Sequence, residues 1–124
     1  MRSYLLVTGV LFGVVGIAHV ADVAERWRTV GSEPLQAAIP LAGIALTIWA
    51  WRSARSGNTS VARGYALISG AVFTALAGEH VFQFARDVQS SEKPWFVAAN
   101  IGVLLIAIGL ALWGFRTFRG LRRA

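Results

Sequence analysis

Four long apolar segments run along the chain, and short polar stretches separate them. About 20 apolar residues are needed for a helix to cross the hydrocarbon core of a bilayer. Three of the segments reach that length, and the second is shorter, with Trp49 and Trp51 as interfacial anchors at its end. Only helices satisfy their own backbone polar groups in lipid, so each segment is predicted to be a transmembrane helix. The segments cover residues 4–23, 35–51, 65–85 and 95–115.

The first and third segments carry one pattern, repeated at a constant offset of 61 residues, and a weaker match at an offset of 64 relates the second and fourth. We therefore predict an all-α integral membrane protein: an antiparallel four-transmembrane-helix bundle made of two tandem helical hairpins, a parallel internal repeat. Residues 1–124 would form a single transmembrane domain, with repeat 1 at about 1–57 and repeat 2 at about 62–124. Gly9, Phe12, Gly16 and His19 recur as Gly70, Phe73, Ala77 and His80, and Gln36 recurs as Asn100.

Charge predicts the orientation of these helices. The chain has 12 Lys and Arg against 6 Asp and Glu, and eight basic residues lie before the first segment, between the second and third, or after the fourth. By the positive-inside rule both termini are predicted to be cytoplasmic, in the cytoplasmic membrane. Basic residues beside apolar segments bind lipid headgroups, so we expect no nucleic-acid partner. The eight are Arg2, Arg52, Arg55, Arg63, Arg116, Arg119, Arg122 and Arg123.

Motifs of soluble enzymes are absent from the sequence. There is no cysteine, which excludes disulfides, thiol catalysis and thiolate metal sites. There is also no glycine-rich phosphate loop, nucleophile elbow or HExxH motif. We therefore expect an electron-transfer or accessory membrane protein in preference to an enzyme.

The two histidines occupy matched positions of the repeat, so they are predicted to lie at matched depth near the outer face. His19 and His80, with Gln36 and Asn100, would form one polar layer. Polar groups within a membrane are costly and usually face the interior of the bundle. This layer is the feature of the sequence that most strongly suggests a function.

The layer favours a small membrane subunit that binds a haem-like cofactor between two histidines for electron transfer. Haem iron takes two axial donors, and a b-type haem needs no covalent attachment motif. His19 and His80 would be the ligands, small residues would leave room for the porphyrin, and phenylalanines would pack on its edges. The residues in these supporting roles are Gly16, Ala77, Phe12 and Phe73. A chlorophyll-type pigment, which needs one histidine per magnesium, fits the same pattern.

Three other interpretations stay open. His19, His80 and Asp22 are a set of ligands that suits a single transition metal. The layer can instead hold no cofactor and fix the register of the helices, in an accessory or assembly subunit of a larger membrane complex. Acids outside and arginines inside also fit a small cation or proton transporter. The expected partner is the lipid bilayer. Other membrane subunits or a redox partner are further candidates.

Overall fold

The computed structural model of the chain describes residues 1–29, 34–89 and 94–121, and within these ranges it contains helices and no strand. This confirms the predicted all-α class and the number of helices. The helices are α1 (Arg2–Thr29), α2 (Pro34–Ser56), α3 (Thr59–Gln89) and α4 (Pro94–Gly120).

Each helix is longer than the apolar segment that predicted it. α1 continues to Thr29, past the predicted limit at residue 23, and α3 continues to Gln89. Alanine, glutamate and arginine occur in these extensions, and all three are good helix formers. Pro34 and Pro94 begin α2 and α4, where the missing N–H of proline costs no hydrogen bond.

Two residues connect α2 to α3. Gly57 has a φ of 64°, a left-handed conformation that ends α2 and that glycine adopts without a steric penalty. The side-chain Oδ1 of Asn58 accepts hydrogen bonds from the backbone N–H groups of Ser60 (3.0 Å) and Val61 (3.3 Å). Asn58 therefore caps the N-terminus of α3.

The chain forms two compact units, residues 1–65 and 66–124. In the first unit, α1 and α2 pack together along an apolar core that includes Tyr4, Leu5 and Leu46. In the second unit, the buried side chains include Phe73 and Leu110.

The backbones of α1 and α2 approach closely through small residues. A Cβ atom built on Gly43 would lie 3.1 Å from Gly16 Cα and 3.0 Å from the Phe12 carbonyl oxygen. A Cβ built on Gly9 would lie 2.9 Å from the Cβ of Ala50. The pairs Gly16–Gly43 and Gly9–Ala50 run in opposite directions along the chain, so the helices are antiparallel. Such small-residue contacts are how helices associate in lipid, where apolar side chains gain nothing by leaving the solvent.

Large apolar side chains cover much of the outer surface. Ile17 is 70% exposed and Phe82 is 72% exposed. Three of the described helices are long and apolar enough to cross a membrane, over Arg2–Ala21, Thr59–Arg86 and Val97–Gly120. Exposed apolar surface on this scale is compatible with lipid as the solvent.

Burial along α1 and α3 follows the offset found in the sequence. The buried positions of α1 in its first sixteen residues, moved by 61, all coincide with buried positions of α3. His19 and His80, the next pair in this register, are both half-buried. The shared pattern is what two copies of one hairpin would produce. The coinciding positions are 4, 5, 8, 9, 12 and 16 in α1 and 65, 66, 69, 70, 73 and 77 in α3.

Substitution of Gly43 tests the close contact between α1 and α2. Because the new Cβ of Gly43→Ala would press on two backbone atoms, which cannot rotate away, the helices must separate. We expect the free energy of unfolding in mixed micelles to fall by about 1–3 kcal/mol.

Gly109→Ala is the matched control, since no heavy atom lies within 4 Å of a Cβ at that position of α4. It should be neutral or stabilising, because alanine favours a helix over glycine by up to about 1 kcal/mol. Equal stability changes in the two variants would show that the Gly43 contact is absent.

Candidate functional site

His19 lies in the C-terminal half of α1, and its ring is hydrogen-bonded to its own helix. Its Nδ1 lies 2.9 Å from the carbonyl oxygen of Val15, one turn earlier. A carbonyl oxygen only accepts hydrogen bonds, so Nδ1 carries the proton and donates it. The remaining ring nitrogen, Nε2, is then unprotonated in the neutral imidazole.

His80 of α3 is held by a neighbouring helix instead. Its Nδ1 lies 2.5 Å from the side-chain Oδ1 of Asn100 in α4. Asn100 is 7% exposed, so this hydrogen bond lies in the interior of the second unit. Oδ1 is an acceptor, which again places a proton on Nδ1, so Nε2 is the unprotonated nitrogen when the ring is neutral.

The two imidazoles therefore share one chemical state, although different groups impose it. In each ring Nδ1 is used as a donor, and Nε2 makes no hydrogen bond within the described part of the chain. A hydrogen bond from Nδ1–H to a carbonyl is the usual second contact of a histidine that binds a metal through Nε2, because it fixes the tautomer and the ring orientation. In the neutral form of each ring, Nε2 therefore has a lone pair that no described residue uses.

The rest of the predicted polar layer is described only in part. The structure brings His80 and Asn100 into contact. The side chains of Gln36 and Asp22 lie outside the described part of the structure. Where side chains are described, no group of three or more His, Asp and Glu residues is placed to hold a metal ion. The alternative metal site of His19, Asp22 and His80 stays a prediction.

The small residues expected beside a porphyrin have different surroundings from those that we anticipated. A Cβ on Gly16 would lie 3.4 Å from the Pro40 carbonyl oxygen and 3.5 Å from the backbone nitrogen of Ile44. Helix α2 therefore occupies the space next to Gly16, and the glycine serves helix packing. Ala77 is buried as well.

The two phenylalanines expected on the ring edges are also core residues. Phe12 of α1 and Phe73 of α3 are each 6% exposed. A cofactor could therefore contact these two side chains only if it entered the packed interior. Their matched burial follows from the 61-residue offset and does not by itself indicate a ligand.

A buried cluster of hydroxyl and aromatic groups was missed in the sequence. Thr8 Oγ1 lies 2.7 Å from the Tyr4 carbonyl oxygen and 2.8 Å from the Tyr65 hydroxyl. Since Thr8 donates its only proton to the carbonyl, the Tyr65 hydroxyl must donate to Thr8. The ring of Tyr65 also makes edge-to-face contacts with Tyr4, at 6.4 Å between centroids, and with Trp49, at 5.7 Å.

The signal that would have revealed this cluster was the same offset of 61. It pairs Tyr4 with Tyr65 and Thr8 with Ser69, as well as Arg2 with Arg63. All four Tyr, Thr and Ser side chains are fully buried. The repeat in α1 and α3 therefore extends toward their N-termini and is more complete than the histidine pattern alone indicated.

No protein-family model, curated protein or solved structure matches the chain.

The tautomers of the two histidines can be measured directly. In ¹⁵N spectra at a pH where both rings are neutral, we expect His19 and His80 to be protonated at Nδ1. Asn100→Leu removes the acceptor of His80, so His80 should shift toward the Nε2-protonated tautomer.

His19 is the internal control in this spectrum, because its acceptor is a backbone carbonyl that the substitution leaves in place. His19→Gln assigns the two rings, which are the only histidines in the chain. An Nε2-protonated His80 in the unsubstituted protein would contradict the geometry.

Proposed function

We propose that the chain is an integral membrane protein in which all four helices span the bilayer. Helix α2 has 23 residues and is about 35 Å long at the usual rise per residue, more than the hydrocarbon core of about 30 Å. The contacts Gly9–Ala50 and Gly16–Gly43 also place α2 alongside the part of α1 that is apolar enough to span a membrane. Both observations support a fourth span for α2.

We further propose that both termini are cytoplasmic and that the histidines lie toward the outer face of the cytoplasmic membrane. The six described arginines near the N-terminus, the α2–α3 connection and the C-terminal end of α4 support this orientation, while Arg122 and Arg123 lie outside the described residues. A fluorescent reporter at the C-terminus should be active, and an alkaline phosphatase reporter there inactive. The opposite pair of activities would reverse the topology.

We propose that His19 and His80 bind a haem-like tetrapyrrole through Nε2, for electron transfer. This assignment is supported by the matched hydrogen bonding of the two rings, because each donates from Nδ1 and no described residue hydrogen-bonds to Nε2. Two neutral imidazoles are the axial ligands of many b-type haems. A bound haem would supply one-electron chemistry, and the protein would supply ligands, orientation and an apolar surrounding.

The residues around the histidines have supporting roles in this proposal. The Val15 carbonyl and Asn100 would hold the rings in orientation and raise the basicity of Nε2. Because Gly16 packs against α2, the porphyrin would approach His19 from a side of α1 that α2 does not occupy. A chlorophyll-type pigment would use the same Nε2 atoms, with one imidazole per magnesium.

Titration of the purified protein with hemin tests the ligand assignment. We expect a six-coordinate, low-spin spectrum for the unsubstituted protein. His19→Ala and His80→Ala should each weaken hemin binding by at least about tenfold. Loss of a residue that only hydrogen-bonds to a metal ligand already weakens binding by about tenfold or more, and loss of the ligand itself should cost at least as much. Added imidazole should restore six-coordination in both variants.

Gly78→Ala is the matched control for this titration. It lies two residues from His80, and its added Cβ would meet no heavy atom within 4 Å. It should bind hemin as the unsubstituted protein does. Unchanged binding in both histidine variants would exclude the assignment.

A cofactor-free accessory or assembly subunit is the second candidate function. The His80–Asn100 hydrogen bond favours it, because that contact already ties α3 to α4 and can fix their register without any ligand. Such bonds in membranes contribute about 0.6 kcal/mol on average and about 1.7 at most. Under this alternative, His80→Ala lowers stability by that amount, and no hemin binds at either histidine.

A further inference from the structure

An apolar groove runs between α1 and α2 on the exposed surface of the first unit. Gly9 and Gly13 line it, and so do the exposed side chains of Val10, Val14 and Ile17. Thr47 is the one polar residue among its described lining, and the Thr47 hydroxyl lies within hydrogen-bond distance of backbone carbonyls of both helices. The groove is therefore apolar along its length and open to the lipid.

One end of the groove is basic. Leu6 and Trp51 line the groove and also a smaller recess beside it, which Arg2, Ala54 and Arg55 complete. A third recess, lined by Arg52, Arg55 and Trp51, adjoins the same tryptophan.

These arginines present their charge to the surface. Arg55 lies over the Trp51 ring, with Cζ at 4.8 Å from the ring centroid, which holds its guanidinium beside the groove. None of the described residues that line these recesses is acidic. Arg2, Arg52 and Arg55 thus lie in two recesses that share Trp51 with the groove, with no acidic residue among the described lining.

We propose that this surface is a binding site for one anionic phospholipid. The phosphate group would lie among Arg2, Arg52 and Arg55, where guanidinium groups donate hydrogen bonds to its oxygens. One acyl chain would lie in the groove over Gly9 and Gly13. The charge at one end and the apolar lining along the rest match the two parts of a lipid molecule.

The length of the groove agrees with this occupant. From Leu5 to Ile17 the groove follows α1 for 12 residues (17 − 5), or about 18 Å along the helix axis. One leaflet contributes half of a hydrocarbon core of about 30 Å. The groove therefore extends through about one leaflet from the level of the arginines. A partner helix would fit such a groove as well, but it would not account for the basic mouth.

The second unit supplies a matched comparison. Arg52 and Arg55 correspond to Arg116 and Arg119 at the offset of 64, and Trp51 corresponds to Phe115. The Phe115 ring packs toward α3, with Cε1 at 3.5 Å from a Cβ built on Gly70. Its ring is thus used in helix packing, whereas Trp51 is 52% exposed at the mouth of the groove.

Native mass spectrometry of the full chain in detergent tests the site, with phosphatidylglycerol and phosphatidylcholine of identical acyl chains as probes. We expect one phosphatidylglycerol to bind preferentially. Each arginine near an anionic lipid surface contributes about 1 kcal/mol, so Arg52→Gln with Arg55→Gln should weaken binding about 30-fold. The control, Arg116→Gln with Arg119→Gln, has the same charge change and should stay within about twofold of the unsubstituted protein.

A second variant tests the acyl chain separately from the charge. Val14→Trp fills the groove from an exposed position and leaves the three arginines in place. It should also weaken phosphatidylglycerol binding, and inorganic phosphate should not displace the lipid.

Three results would overturn the site. Equal losses in the two double-arginine variants would mean that charge attracts the lipid without a site. Equal binding of phosphatidylcholine would remove the role of the arginines. Unchanged binding by Val14→Trp would mean that no chain occupies the groove.

Discussion

The first unit depends on the close approach of two helix backbones at Gly16 and Gly43. In the membrane location that we propose, the surrounding lipid is as apolar as leucine, so the helices gain little by burying apolar side chains and backbone contact supplies the attraction. Glycine at both positions allows a separation that a Cβ on Gly43 would prevent. The same contact fixes the position of α2 along α1. His19 follows Gly16 by three residues, about one helical turn.

Among the buried side-chain nitrogen and oxygen atoms of the described residues, Ser53 Oγ has no hydrogen-bond partner. Tyr65 donates to Thr8, and Thr8 donates to the Tyr4 carbonyl, so each of these two buried hydroxyl groups has an acceptor. The rings of His19 and His80 are hydrogen-bonded through Nδ1, and no described residue hydrogen-bonds to their Nε2 atoms. A ring that is oriented through Nδ1 can bind a ligand through Nε2, and the proposed role of the histidines rests on this arrangement.

The sequence predicted the class of the fold and the number of helices, because four apolar segments in lipid leave few other structures possible. Helix ends were missed, since α1 and α3 continue through polar residues that favour helix but carry no hydropathy signal. The turn at Gly57 and Asn58 depends on backbone conformation and capping, which hydrophobic periodicity does not report.

Prediction of the site was less complete, for a physical reason. Helical spacing places Gly16 and His19 on one face of α1, but it does not say whether a helix or a ligand lies against that face. In the structure α2 lies against Gly16, while the predicted place of Gly16 beside a porphyrin stays a prediction. The contact between His80 and Asn100 depends on how α3 packs on α4, which the sequence does not report. In contrast, the 61-residue offset already pairs Tyr4 with Tyr65 and Thr8 with Ser69 in the sequence.

The most direct test of the central claim is the absorption spectrum of the protein purified in mild detergent from its native host, first oxidised and then reduced with dithionite. A narrow violet band with sharp visible bands after reduction is the predicted result, since two imidazoles on one haem iron give a six-coordinate spectrum. Strong red bands would instead indicate a chlorophyll-type pigment. A featureless spectrum with no metal in the same sample would contradict the claim that the free Nε2 atoms bind a cofactor.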